Sequence, residues 1–93
     1  MKEKVIKSNG NVFEDLGFSP EEASLLAMRA ELVAFLRETV EKKCWTQAEA
    51  AIVLGISQSR VSDLIRGKVG KFSLDMLITL TTRAGKKVSL AVA

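Results

Sequence analysis

The sequence predicts an all-α bundle of about four helices, with a short N-terminal arm over residues 1–18 and a C-terminal β-strand that closes a domain over 19–93. Three observations predict it. Apolar residues recur every three to four positions through 21–43. Thr46, Ser57 and Ser73 each stand just ahead of a further helical stretch, and the glycines Gly55, Gly67 and Gly85 follow those stretches. The last residues alternate polar and apolar, the period of a half-buried strand.

The chain has 93 residues, 47% of them hydrophobic and 27% charged. That is room for one compact domain and the composition of a chain that folds. Unbroken apolar runs such as Ala50 to Leu54 fall far short of the roughly 20 residues that span a bilayer. The start, MKEKVIKSNG, leads into no hydrophobic stretch that a secretory pathway reads, so a cytoplasmic location is expected. The single cysteine, Cys44, agrees with that, since it closes no intramolecular disulfide. With no histidine, the chain alone assembles no zinc site of the usual ligand counts, and no cofactor is expected. The absence of histidine and tyrosine also argues against an enzyme, because the commonest neutral-pH general base is missing.

Residues 1–18 show no sustained period. Asn9-Gly10-Asn11 is a turn signal, and a short turn is expected around Phe13 to Leu16. At Ser19-Pro20-Glu21-Glu22 a capping serine, a proline suited to the first helical position and a glutamate placed for a capping box coincide. The helix they open, about 21–43, carries Leu25, Met28, Leu32 and Leu36 with Leu26, Val33 and Val40 as a broad apolar stripe. Thr46-Gln47-Ala48-Glu49 is a second capping box and opens a two-turn helix ending at Gly55. Ser57 caps the next, through Arg66, which Gly67 closes. Ser73 caps the last, which stops near Gly85, with Phe72 and Leu77 placed as a hydrophobic staple. From Lys87 to Val92 the alternation reads as a strand. With no partner strand legible in the chain, it is expected to pair between the subunits of a homodimer.

Charge is unevenly spread over the net +3. Residues 1–9 carry +2 and residues 10–41, two arginines against seven acids, carry −5. Residues 42–93, nine basic groups against three acids, carry +6, so an anion is expected on the second half. The tight pair of helices from Gln47 to Arg66 sits in that half. Ala51 is small where the two must touch, Gly55 permits a left-handed turn, and Ile56, Val61 and Leu64 fill the wedge between them. These are the requirements of a helix-turn-helix whose second helix enters the DNA major groove.

At about 100° per residue, Gln58, Ser59, Ser62 and Arg66 fall on one side of that second helix and Val61, Leu64 and Ile65 on the other. Gln58, near the end that enters the groove, is the foremost base reader, because its amide pairs bidentately with adenine. Ser59 and Ser62 suit either kind of base and Asp63 accepts from a cytosine amino group. Arg60, Arg66, Lys68 and Lys71 are read as phosphate anchors, together with Gln47 at the start of the preceding helix. Cys44 and Trp45 are read as core, Trp45 plugging the gap between the long helix and the one that follows. A second, different reading takes the acidic stretch 10–41 and the apolar Val12, Phe13, Leu16 and Phe18 as a surface for a basic protein partner.

The residues Thr46-Gln47-Ala48-Glu49-Ala50-Ala51, Leu54-Gly55-Ile56-Ser57-Gln58-Ser59-Arg60-Val61-Ser62-Asp63-Leu64 and Arg66-Gly67-Lys68 resemble the Xre-type family of phage repressors and Cro proteins. Phe13-Glu14-Asp15-Leu16-Gly17-Phe18, Phe72-Ser73-Leu74-Asp75 and Gly85-Lys86-Lys87-Val88 extend the likeness to HigA-like antitoxins and related regulators, over about residues 12 to 90. The resemblance implies a phage-repressor-like fold and a homodimer on an inverted-repeat operator, often in its own promoter. In the antitoxin members it also implies a small ribonuclease toxin as partner. Two positions depart from the family. Val40 and Ile65 stand where several phage repressors carry a buried arginine-glutamate pair, which an apolar pair replaces without loss of stability. Ser59 stands where relatives often have proline after the recognition glutamine, which points to a different base preference.

Overall fold

The computed structural model describes residues 4–6 and 11–92. In chain order these form β1 (Lys4–Ile6), α1 (Asn11–Asp15), α2 (Pro20–Lys42), α3 (Gln47–Leu54), α4 (Gln58–Ile65), a single 3-10 turn (Val69–Lys71), α5 (Leu74–Arg83) and β2 (Val88–Leu90). The turn signal at Asn9 and Gly10 and the basic residues Lys2 and Lys7 lie outside the described residues. The predicted four-helix bundle is present, with α2 as its spine against α1, α4 and α5. Among the described residues no helix is long and apolar enough to cross a membrane.

The helices α2 to α5 each begin where a capping hydroxyl says. Ser19 Oγ accepts from the Glu22 backbone N–H at 3.2 Å, with Pro20 in the first turn. Only half of the expected box forms there, because Glu22 Oε1 takes the Ser19 hydroxyl at 2.8 Å instead of a backbone N–H. Thr46 and Glu49 make the full reciprocal box, at 3.1 and 2.9 Å. Ser57 accepts from the Arg60 N–H and Ser73 from the Met76 N–H. Phe72 and Leu77, on either side of the Ser73 cap, are buried in one cluster, as a staple requires.

The end of α2 is less conventional. Trp45 N–H bonds to Val40 C=O and Cys44 N–H to Glu41 C=O, both at 3.1 Å, which is the paired bonding of a Schellman motif. That motif needs a left-handed residue, and here Cys44 supplies it at φ 54° where glycine is the usual choice. The geometry turns the cysteine outward: Cys44 is exposed, not core as the sequence suggested. Trp45 is turned inward and packs with Val40, Ala50, Ala51 and Val61.

Two buried clusters make the core. The larger joins Leu32, Val33 and Leu36 of α2 to Leu54, Leu64, Phe72, Leu77 and Leu80. The smaller joins Val40 to Ala50, Ala51 and Val61, with Trp45 and Ile65 against it, so the Val40 and Ile65 positions share one apolar seam. Ile56, in the turn between α3 and α4, touches both clusters.

The terminal strand departs from expectation. β2 is present, but it pairs within the chain, in parallel with β1, in the register Lys4↔Val88, Val5↔Ser89 and Ile6↔Leu90. The stretch read as an arm therefore supplies a strand and also a helix, α1, which packs on α2. Three residues of Lys-Val-Ile are too short a run to show a period. Their partner lies at the other end of the chain, where no local pattern connects the two.

Left-handed backbone at a residue with a Cβ costs roughly 1–2 kcal/mol, part of which glycine returns in chain entropy. Cys44→Gly is therefore expected to stabilise the fold by about 0.5–1 kcal/mol. Urea unfolding followed by circular dichroism measures it, as a raised midpoint at unchanged slope.

Candidate nucleic-acid interface

α3 and α4 are both short, and what holds them at a fixed angle is the turn between them. Gly55 adopts φ 69°, and its N–H and that of Ile56 both bond to Ala51 C=O, at 2.8 and 3.1 Å. A Cβ on Gly55 would stand 3.0 Å from Arg83 Nη1, because that guanidinium bonds to Leu54 C=O at 2.9 Å and occupies the space beside the glycine. Arg83 thus joins the end of α3 to the end of α5. It also places positive charge where the dipole of α3 is negative.

The rotation of α4 follows from its burial. Val61 and Leu64 are 0% exposed, while Gln58, Ser59, Arg60 and Arg66 are exposed and Ser62 and Asp63 half-buried. Gln58 occupies the first helical position and Ser59 the second, so both stand in the first turn beside the Ser57 cap. Gln47 holds the equivalent first position of α3 and is likewise exposed.

The basic residues differ in what they touch. Lys68 and Lys71 are exposed in the segment after α4. Lys68 Nζ lies 3.7 Å from Asp63 Oδ1, a long ion pair that joins one predicted anchor to one predicted reader. Arg60 Nη1 donates to Lys71 C=O at 2.9 Å, and its guanidinium carbon lies 5.8 Å from the centroid of the Phe72 ring. Arg37, on α2, comes beside the left-handed Gly67 at the end of α4, where a Cβ would meet its Nη1 at 3.3 Å. The internal contacts of Arg37, Arg60 and Arg83 were not legible in the sequence. Each joins residues 11 to 30 positions apart, and only the packing of the helices brings them together.

Two carboxylates near helix starts, Glu49 and Asp75, are lowered from their ordinary values. The Glu49 carboxyl lies below its ordinary value, chiefly because it accepts the Thr46 backbone N–H and then through the Thr46 hydroxyl. The Asp75 carboxyl is lowered first by the Ser73 hydroxyl and then by backbone N–H groups.

The four residues read as a partner surface separate into two kinds. Phe13 is half-buried, and its ring meets that of Phe18 edge-on, centroids 6.3 Å apart at 72°. The pair spans a Schellman-type end of α1, in which Phe18 N–H bonds to Phe13 C=O. Val12, on α1, and Leu16, just past its end, are 68% and 70% exposed.

Two short capped helices at a glycine turn, with an apolar face locked inward and a polar face left to solvent, define a DNA-binding protein of the helix-turn-helix class. The chain belongs to the helix-turn-helix domain family, whose model matches residues 12–93, and it is a DNA-binding regulator. No curated protein matches it.

A depressed carboxyl contributes stability that is fully present above its ordinary value and is lost as pH falls through the folded value. The box at Thr46 and Glu49 is therefore expected to weaken in acid. Glu49→Gln, whose amide oxygen still accepts from Thr46, should remove that part of the acid limb, seen as a flatter dependence of the urea midpoint on pH.

Proposed function

We propose that the chain is a homodimeric, sequence-specific transcriptional regulator that reads an inverted-repeat operator through α4 and acts as an autoregulating antitoxin. The observation that carries the DNA-reading part is the fixed orientation of α4. With Val61 and Leu64 wholly buried, its first turn offers Gln58 and Ser59 to the groove, with Ser62 and Asp63 further along. Gln58 reads adenine through its amide. Gln47, Arg66, Lys68 and Lys71 hold phosphates on either side, and Arg60 stands among them. The antitoxin role, membership of the Xre and HigA-like groups and the toxin partner rest on the resemblance of the motifs.

The second reading, a surface for a basic protein, is favoured by one observation. Val12, Leu16, Phe18 and Leu25 are all exposed, in a stretch that also carries Glu14, Asp15, Glu21 and Glu22. The two readings are compatible, since they use different residues.

Selection of bound duplexes from a random pool should enrich a palindrome with half-sites about one helical turn apart. Gln58→Ala is expected to lose about 1–3 kcal/mol on that duplex and to relax one position of each half-site. Lys68→Met should weaken binding to all sequences alike and lower the logarithmic salt slope by about 0.9 per contact removed. Weak binding without any enriched sequence would reject the reader. Leu16→Glu should leave the melting temperature and DNA affinity unchanged while weakening a small basic ribonuclease partner, measured by calorimetry. Equal loss of both affinities would remove the second reading.

A further inference from the structure

Arg60 is placed differently from the other exposed cations of the interface. It stands two residues after Gln58 on α4, yet its side chain reaches along the protein to the turn Val69–Lys71. There Nη1 donates to the Lys71 carbonyl at 2.9 Å, and the guanidinium lies over the ring of Phe72, 5.8 Å from its centroid. Phe72 is itself immobilised. It is 4% exposed, belongs to the main core cluster and immediately precedes the Ser73 cap of α5. One planar group therefore joins the first turn of α4 to the backbone of Lys71 and to an anchored ring. A lysine ammonium cannot reproduce that geometry, lacking both the fork and the flat face.

The turn that Arg60 holds is anchored at its start by Val69, which packs against the main core, while its far end at Lys71 is exposed. Its own closing bonds are Lys71 N–H to Lys68 C=O at 3.1 Å and Phe72 N–H to Val69 C=O at 3.2 Å. A Cβ on Gly70 would meet nothing within 4 Å, and Lys71 is exposed. The direction in which Lys71 points relative to Gln58 is set by the backbone of this turn, and Arg60 ties that backbone to the helix that carries Gln58.

We infer that Arg60 is a positioning residue of the DNA interface, acting through Lys71 and not as a phosphate ligand of its own. This rests on the reading above, in which Lys71 contacts a phosphate. The guanidinium keeps the turn in register with α4, so that the Lys71 ammonium meets the backbone flanking the groove when Gln58 meets its base.

The test measures affinity for the duplex enriched from the random pool, at several salt concentrations, with Arg60→Lys, Lys71→Met and the double variant. Arg60→Lys keeps the charge but loses the fork and the stacking. It should lower the salt slope by about 0.9, the value of one phosphate contact, as should Lys71→Met. The double variant should also lose about 0.9, because both changes remove the same contact. A full slope in Arg60→Lys, or a loss of about 1.8 in the double variant, would make Arg60 a phosphate ligand in its own right and overturn the inference. So would wild-type binding by Lys71→Met. Amide exchange in the free protein reads the clamp without DNA: Arg60→Lys should speed exchange at Lys71 and Phe72 and leave α2 unchanged, and unchanged exchange at those two amides overturns the inference as well. Failure of the wild type to enrich any duplex would instead strike the reading of the operator and leave the exchange result standing.

Discussion

The complete burial of Leu54, Val61 and Leu64 is the constraint on which the rest of this structure depends. A helix of eight residues has almost no stability of its own, since nucleation is costly and few bonds repay it. What keeps α4 helical, and keeps it from turning about its axis, is that Val61 and Leu64 have no other place to go. Their position inside leaves Gln58, Ser59 and Arg66 outside. The readable face is thus a by-product of core packing, and its precision is that of the core beneath it. The left-handed Gly55 and the Arg83 bond to Leu54 C=O serve the same end, holding α3 at the angle that lets Ala51 and Val61 meet.

Charge in the second half of the chain is divided between outward and inward use. Arg83 lies on the carbonyl end of α3, and Arg60 bonds to the turn after α4. Lys68 is within reach of Asp63, while Arg66 and Lys71 stand exposed. The +6 of residues 42–93 consequently overstates what is free to neutralise phosphate, and the salt dependence of DNA binding should reflect the smaller number. Arg60 and Arg83 each bond a carbonyl on another element, which agrees with a planar fork that loses little freedom on binding.

The two ends of the chain meet in a pair of three-residue strands. A sheet this small is marginal by itself. It persists because β2 follows directly from α5, and Val88 packs against the main core. The pairing returns residues 4–6 to the side of the bundle where α5 ends, so these three residues are part of the domain's closure.

The sequence by itself determined the four longer helices, α2 to α5, and their starts. Ser19, Thr46, Ser57 and Ser73 each cap in the structure, since a cap is decided by residues three apart. The glycines after α3, α4 and α5 are equally local. The same holds for the inner and outer faces of α4, which follow from period alone. Three things were decided only by the tertiary structure. Cys44 takes the left-handed position at the end of α2 because Trp45 must turn inward onto Val40 and Ala51, and no residue pattern within the turn announces it. β1 pairs with β2 across the whole length of the chain, and neither strand is long enough to specify a partner from its own residues. Arg60 and Arg83 find carbonyls 11 and 29 residues away, where a count of charges sees only cations. Local bonding is written in neighbouring residues, whereas contacts between distant ones exist only after the core has set the helices against one another.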